Sequence, residues 1–383
     1  MGAFVDEAYL AEALAGRRVL LTGHTGFKGG WLSLWLRRLG ATVVGVSLPA
    51  QPHSFCNVIA LEQLIEGRRG DIRKEASFCK AIEGQDFDLI IHMAAQALVR
   101  SSYEDPLNTY LTNVIGTAVV LEQARCMKSL RGIIVVTSDK CYENHEWVWG
   151  YREHDPMGGR DPYSSSKGCA ELVAAAYRSS FFSNPDGPQI ATVRAGNVIG
   201  GGDWATDRLV PDLIRAAETG SAARIRNPRS TRPWQHVLEP LRGYLMLAAR
   251  LIDTGSGFAG GWNFGPDRDA AVDVITLADL IVEKWSGNAP PYVVEQRANE
   301  PPEAVALRLD STKAFVQLGW KPLLTLDQAV SMTVEWHLRY QRDPASIRQF
   351  SEYQIAEYAA AWTGSSEPSL MTEHHPIRIP ACA

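Results

Sequence analysis

A serine, an aspartate and a lysine stand in a row at Ser138, Asp139 and Lys140, where the apolar run Ile133 to Val136 stops. Buried strands do not usually end on a carboxylate beside an amine. The triplet offers a hydroxyl, a proton donor and a basic or cationic group at one point. Farther on, YSSSK sets Tyr163 and Lys167 four residues apart, on one face of a helix. A free tyrosine titrates near ~10 and is a poor base at neutral pH, but an ammonium one turn away stabilises the phenolate and lowers that value. A phenol so activated, a lysine and a serine hydroxyl suit the oxidation of an alcohol. Asp139 and Lys140 add acid–base capacity beyond that step.

The elements around these groups point to a nucleotide. VLLTGHTGFKGGW places Gly23, Gly26 and Gly29 between a first strand and a first helix. Glycines there permit a tight turn and let backbone N–H groups approach a pyrophosphate at the helix N-terminus. The spacing is GxxGxxG rather than GxGxxG, and its position after a strand and before a helix supports a dinucleotide cradle that includes Thr25, Phe27 and Lys28. The second strand, TVVGVSL, ends at Ser47, where many NAD-binding proteins carry an aspartate; a serine still hydrogen-bonds a ribose hydroxyl. No arginine follows closely to meet a 2′-phosphate, which favours NAD over NADP. Asp71, beside Ile72 in GDIR, is a candidate for the adenine amine or a turn-capping aspartate.

Strand-like runs (RRVLLTG, TVVGVSL, FDLIIHMAA, RGIIVVTS, QIATVRAG) alternate with helical patterns such as NTYLTNVIGTAVVLEQARCM and YSSSKGCAELVAAAYRSSFF. That alternation predicts an α/β fold: a Rossmann doubly wound parallel sheet with a smaller C-terminal substrate-binding lobe. Residues 1–198 and about 234–264 are assigned to the NAD-binding domain and about 199–233 and 265–345 to the lobe. Residues 346–383 are assigned to a C-terminal helix and a mobile tail from about Gly364. The chain has 383 residues, 45% apolar and 21% charged, with a formal net charge of −5. That composition is ordinary for a globular protein and gives no hint of a nucleic-acid or membrane partner. The six cysteines show no CxxC or metal-like spacing, so no metal is expected. With neither a signal peptide nor an eighteen-residue apolar run, the chain reads as cytoplasmic. The opening MGAFVD carries Asp where a myristoylation signal needs Ser or Thr.

Longer motifs carry a more specific likeness. TGHTGFKGGWLSLWL, HMAAQALVRSSYEDP, the stretch from TSDKCYENHEWVWGYRE to DPYSSSKGCAEL, VRAGNVIGGGDWA and RPWQHVLEPL resemble the CDP-glucose 4,6-dehydratase family from about Arg17 to about Tyr358. The resemblance implies an NAD-dependent sugar-nucleotide dehydratase of the extended short-chain dehydrogenase class, with NAD tightly bound and regenerated each turnover. It makes CDP-glucose the substrate and surface-polysaccharide dideoxy sugars, such as those of O-antigen, the eventual product. Tyr163 becomes the base at C4, Ser138 the group that orients the alcohol, Asp139 the acid at C6, and Lys140 the C5 base or an enolate stabiliser. Ala94, Ala95 and Gln96 would face the nicotinamide half, with Asn113 on the helix behind the site. Arg100, Asn197, Arg208, Arg226, Arg232 and His236 would serve the substrate; the guanidinium forks at 208 and 232 suit a diphosphate. Relatives pair through two long helices, which here carry Asn113 and Tyr163, so a homodimer or a dimer-of-dimers is expected.

Other readings stay open on the residues alone. An epimerase or reductase would share Gly23, Tyr163 and Lys167 without needing Asp139 and Lys140. A catalytically silent NAD-binding scaffold would not need intact Ser138, Tyr163 and Lys167. Trp147, Trp149 and Tyr151 alternate in ENHEWVWGYRE and form either a hairpin that packs its rings or a lid that dries the site. Arg224, Arg226, Arg229 and Arg232 crowd one stretch, of which at least one is surface. His24 and Asp86 have no assigned role, and His92 at a strand end reads as a core histidine.

Overall fold

The apolar runs that alternate with helical periodicity become parallel strands buried on both faces. In the computed structural model, which describes residues 5–267, 271–285, 292–295 and 306–363, these are β1 (Arg18–Thr22), β2 (Thr42–Ser47), β3 (Glu66–Arg69), β4 (Leu89–His92), β5 (Gly132–Val136) and β6 (Gln189–Ala195). Next come β7 (Asn197–Ile199), β8 (Ala223–Ile225), β9 (Thr231–His236), β10 (Gly260–Phe264), β11 (Ala271–Asp273) and β12 (Tyr292–Val294). The main sheet has seven strands in the order β10-β6-β5-β4-β1-β2-β3, all parallel. Its order reverses between β1 and β4, and a ligand crevice is expected at that switch point beyond the strand C-termini. β7, β9 and β11 form a three-stranded sheet, and β8 pairs with β12.

Helices run α1 (Glu7–Leu14), α2 (Phe27–Arg38), α3 (Phe55–Val58), α4 (Glu75–Ile82), α5 (Val99–Glu104), α6 (Pro106–Tyr110) and α7 (Gly116–Ala124). They continue as α8 (Pro162–Ser180), α9 (Leu209–Thr219), α10 (Leu238–Asp253), α11 (Val274–Lys284), α12 (Leu326–Arg342) and α13 (Ile347–Thr363). Because side chains alternate across a strand, β1, β4 and β5 feed two cores. Val19, Leu21, Ile91 and Ile134 pack with Trp31 and Trp35 of α2 and with α10. Leu20, Ile90, Ile133 and Val135 pack on the opposite side with Phe78 of α4, Val120 of α7 and Ala174 of α8. A third core joins α9, β8, α11 and α12 through Leu213, Ile225, Leu277 and Val330.

One helix differs from its sequence pattern. The periodic stretch from Asn108 is broken by a π turn at Leu111–Ile115 between α6 and α7. The wider turn holds Asn113 at its centre, buried, and such turns concentrate at functional sites. Residues 364–383, expected as a mobile tail, lie outside the described residues, as do Met1–Phe4, Cys382 and most of the NAPPY segment.

Candidate active site

At the switch point a cleft of about 1340 Å³ runs from the glycine loop, past the ends of β4 and β5, to α9 and β8. The glycine spacing has a steric cause. Gly23 takes φ +81, and a Cβ there would sit 2.7 Å from the Ala94 nitrogen; a Cβ on Gly29 would meet the Gly23 carbonyl oxygen at 2.2 Å. Gly26 caps α2 without a side chain over the first-turn N–H groups, which suits a dinucleotide's diphosphate. Thr25, Phe27, Lys28, Ile72, Ala94, Ala95 and Gln96 line the same end. Lys28 donates to the Tyr244 hydroxyl at 3.2 Å, and burial, with Lys167 nearby, lowers its ammonium to about 7. The loop's shape and this cation fit an anionic cofactor.

Three cofactor expectations are modified by their neighbours. Ser47 lines the cleft, but its hydroxyl lies 2.9 Å from His24 Nδ1. Asp71 also lines it while both its oxygens hold Arg73, whose guanidinium keeps the carboxyl below its usual range, so the turn-capping reading applies as well. Asn113 does not line the cleft. Its side chain is spent behind the wall, accepting the Gln96 N–H at 2.8 Å and donating to the Gln96 carbonyl and to Ser166. An arginine does reach the end of β2 across the sheet: Arg69 pairs in register with Ser47, and Glu62 holds its guanidinium. Sequence distance hid it.

Ser138, Asp139, Lys140, Tyr163 and Lys167 all line the cleft. Asp161 caps α8 by accepting the Ser164 N–H, with Pro162 in the first turn, and this starts the helix immediately before Tyr163. Ser138 donates to Asp139 Oδ1 at 2.9 Å, and Lys140 Nζ lies 3.4 Å from the same oxygen. Asp139 is buried while Lys140 is partly exposed, so the carboxyl is the drier of the pair. The expected pairing of Tyr163 with Lys167 is altered. Burial raises the Tyr163 phenol, and the cation that opposes it most is Lys140, aided by the hydrogen bond to Ser138. Lys167 donates instead to the Val136 carbonyl at 3.3 Å, and burial lowers it to about 8. At the phenol, Lys140 therefore takes the role the YxxxK spacing gave to Lys167.

On the lobe side, Arg208 is held by Asp203 at 3.0 Å and Arg226 by Asp207 at 3.0 Å, with Arg100 3.8 Å from Asp207. Arg232 and Asn197 line the cleft with them. The Asn197 side-chain oxygen is buried without a hydrogen-bond partner among the described residues, as is the indole N–H of Trp234, also in the wall. Arg224 reaches the cleft; Arg229 does not and is exposed. His236 corrects its expectation: it is fully buried against the Trp31 ring edge, away from the cleft, where burial holds it neutral at about 3. Beyond Trp234 the chain passes beneath α2 rather than along the wall.

The aromatic segment packs its rings: Tyr142 stacks on Tyr151 at 5.1 Å and Tyr151 on Trp147 at 5.2 Å, while Trp149 is 67% exposed. Asn144 and Glu146 of that segment line the cleft. Sequence reading missed the brace beneath it. Glu171, one turn after Lys167, takes Arg194 through two N–H groups at 2.8 Å each and accepts from Thr137 and Thr192. Burial alone would raise that carboxyl; Arg194 and the threonines hold it down. Arg194 also reaches Tyr142, so the pair ties α8, β6 and the Ser138 turn together.

Comparison with known proteins follows the same lines. Residues 20–333 match the family described as GDP-mannose 4,6 dehydratase. The chain is 49% identical over 352 residues to the CDP-glucose 4,6-dehydratase of Salmonella typhimurium, covering 89% of this chain and 97% of that one. It is 25% identical to that organism's dTDP-glucose 4,6-dehydratase, over 84% and 92% of the two chains. The fold matches DesIV, a dTDP-glucose 4,6-dehydratase of Streptomyces venezuelae solved with NAD, at TM-score 0.71 and 22% identity, covering 85% and 97%. It also matches the UDP-glucose 4-epimerase of Bifidobacterium longum at TM-score 0.72 and 23% identity, covering 85% and 99%.

Proposed function

We propose, from the premise that this chain belongs to the GDP-mannose 4,6 dehydratase family, that it is an NAD-dependent hydro-lyase converting CDP-D-glucose to CDP-4-keto-6-deoxy-D-glucose and water. The observation that carries the reaction is the buried Asp139 beside Lys140, facing the same cleft as Tyr163 and Lys167. A 4-epimerase has no leaving group to protonate and no use for that acid.

The order of steps follows from acidity. A C5 proton is labile only beside a ketone, so C4 is oxidised first. NAD, which the loop of Gly23, Gly26 and Gly29 would hold, would supply the hydride acceptor for C4 and the hydride donor for C6, with no net redox change in a turnover. Tyr163 removes the C4 hydroxyl proton while Ser138 orients that hydroxyl. Asp139 protonates the C6 oxygen as it departs as water. Lys140 takes the C5 proton or, staying cationic, steadies the enolate. Arg208, Arg226, Arg232 and Asn197 hold the diphosphate, with Arg100 beside them. The division proposed with this reading gives the cofactor to 1–198 and about 234–264, and the substrate to about 199–233 and 265–345. The test is direct. Purified protein without added NAD is incubated separately with CDP-, dTDP-, GDP- and UDP-glucose, and the 4-keto-6-deoxy product is assayed. Product from CDP-glucose is expected; product from another nucleotide alone would discard the base, and none at all, even with NAD, would discard the reaction.

The same reading includes a homodimer, singly or as a dimer of dimers. Leu107, Leu111 and Ile115, along α6 and the π turn, are 69%, 38% and 48% exposed, and Leu172 of α8, the helix this segment packs on, is 61% exposed. Leu111→Lys is expected to halve the mass seen by light scattering; an unchanged mass would place the interface elsewhere. The cytoplasm is the proposed location, supported by five unpaired cysteines among the described residues. Among these residues no helix is long and apolar enough to cross a membrane. Surface-polysaccharide deoxysugars are the proposed destination of the product.

A further inference from the structure

The reading above, on which this inference rests, raises a question of chemistry: which group tells cytosine from uracil or thymine. A sugar nucleotide is a linear ligand. With the hexose at Tyr163 and the diphosphate among Arg208, Arg226 and Arg232, the nucleoside lies farther along the cleft, against α9 and β8. The wall there includes Leu209, Val210, Ile225 and Val274, which can hold a flat ring by its faces but cannot read its edge. Cytosine carries an amine at C4 where uracil and thymine carry a carbonyl. A wall selective for cytosine must therefore present an acceptor at that point, and carboxylates make that pairing with the cytosine amine.

Asp212 is the carboxylate on this stretch. It lies in the first turn of α9, its side chain is 27% exposed, and it lines the cleft. Arg215 donates to Oδ1 at 2.6 Å and fixes the side chain, while Oδ2 has no partner among the described residues. Of the other acids on this wall, Asp203 has both oxygens engaged, by Arg208 and the Ala205 N–H, and Asp207, which holds Arg226 and Arg100 at Oδ1, is the wetter side chain at 43% exposed. Asn227 also lines the wall, but an amide both donates and accepts and cannot separate the two bases by itself. Burial pushes the Asp212 carboxyl up, with Arg215 opposing it, as suits an acceptor held in a half-dry wall.

We infer that Asp212 determines the base specificity of this cleft: Oδ2 accepts from the exocyclic amine of cytosine and repels the C4 carbonyl of uracil and thymine. The full chain, as wild type, Asp212→Asn, Asp212→Leu and Arg215→Ala, is titrated calorimetrically with CDP, UDP and dTDP. Wild type prefers CDP. Both Asp212 variants lose at least tenfold in CDP affinity and no more than about twofold for UDP and dTDP, so the preference collapses. Arg215→Ala keeps the preference, because the acceptor remains. An Asp212 variant that weakens all three nucleotides alike, or that keeps the CDP preference, overturns the assignment while wild-type turnover of CDP-glucose leaves the function intact. A wild type that neither prefers CDP nor turns over CDP-glucose overturns both.

Discussion

Asp139 and Tyr163 both line the cleft, and in the proposed reaction the two groups serve separable steps. Tyr163 is needed before anything else happens, so Tyr163→Phe is expected to abolish all conversion. Asp139→Asn keeps a side chain of the same size but removes the proton donor at C6. In a single turnover it is expected to leave a 4-keto hexose that retains its C6 oxygen, visible by mass spectrometry, with overall turnover down about 10²–10⁴-fold. Undiminished turnover by the asparagine variant would remove Asp139 from the acid role. These residues were legible because each belongs to a short local pattern: a strand ending in Ser138-Asp139-Lys140, a helix opening on Tyr163 with Lys167 four residues on. Residues that act across the fold were not. Asp212 sits in an ordinary amphipathic helix, and nothing in RPWQH distinguishes Trp234, which reaches the wall, from His236, which passes beneath α2.

At the scale of elements, the parallel, doubly wound character of the sheet was readable from alternating strands and helices, because a parallel sheet requires crossovers and buried apolar runs. What registers the elements at the site was not. The Glu171–Arg194 pair joins α8 to β6, and through Thr137 and Tyr142 it reaches both sides of the Ser138 turn. Its partners lie far apart in sequence, so no spacing announces it. Breaking a buried pair leaves a stranded charge and costs about 3–5 kcal/mol. Glu171→Leu should show that loss as a shift in the denaturant midpoint at unchanged slope. Glu171→Gln, which keeps an acceptor for the threonines and Arg194, is expected to lose less. Equal losses would mean that the charge of Glu171 contributes nothing beyond its hydrogen bonds. Arg242 and Glu239 play a parallel part where α13 meets α10: Glu239 accepts from Leu323, Leu324 and Tyr358, and Arg242 lies against the rings of Trp320, Tyr358 and Trp362.

Across the whole molecule, four buried histidines among the described residues make the fold sensitive to acid, His24 being one that burial lowers below its usual value. His92, His236 and His337 are all lowered to about 3, in each case chiefly by burial, with Lys167 adding to the effect on His92. Of these three, His92 alone has hydrogen bonds at both ring nitrogens among the described residues, with Thr22 and Thr117, which supports its reading as a core histidine. The sign follows from proton binding. An unfolded histidine takes up a proton near 6.5 and the folded one does so only near 3, so the unfolded chain binds more protons between those values. The stability these groups contribute is complete above about 6.5 and falls as the pH drops through that window. Each histidine gives a slope approaching ~1.4 kcal/mol per pH unit, and the three together about 4. His337 is the cleanest to remove, because both its nitrogens lack hydrogen-bond partners among the described residues and its ring packs edge-on to Trp204 and Trp336. His337→Phe should therefore leave stability at pH 7 unchanged or higher and lower the slope measured by urea unfolding between pH 6 and 5 by about 1 kcal/mol per pH unit. A slope equal to wild type would mean that His337 already carries its proton in the fold, and that the wall of rings around it accommodates charge.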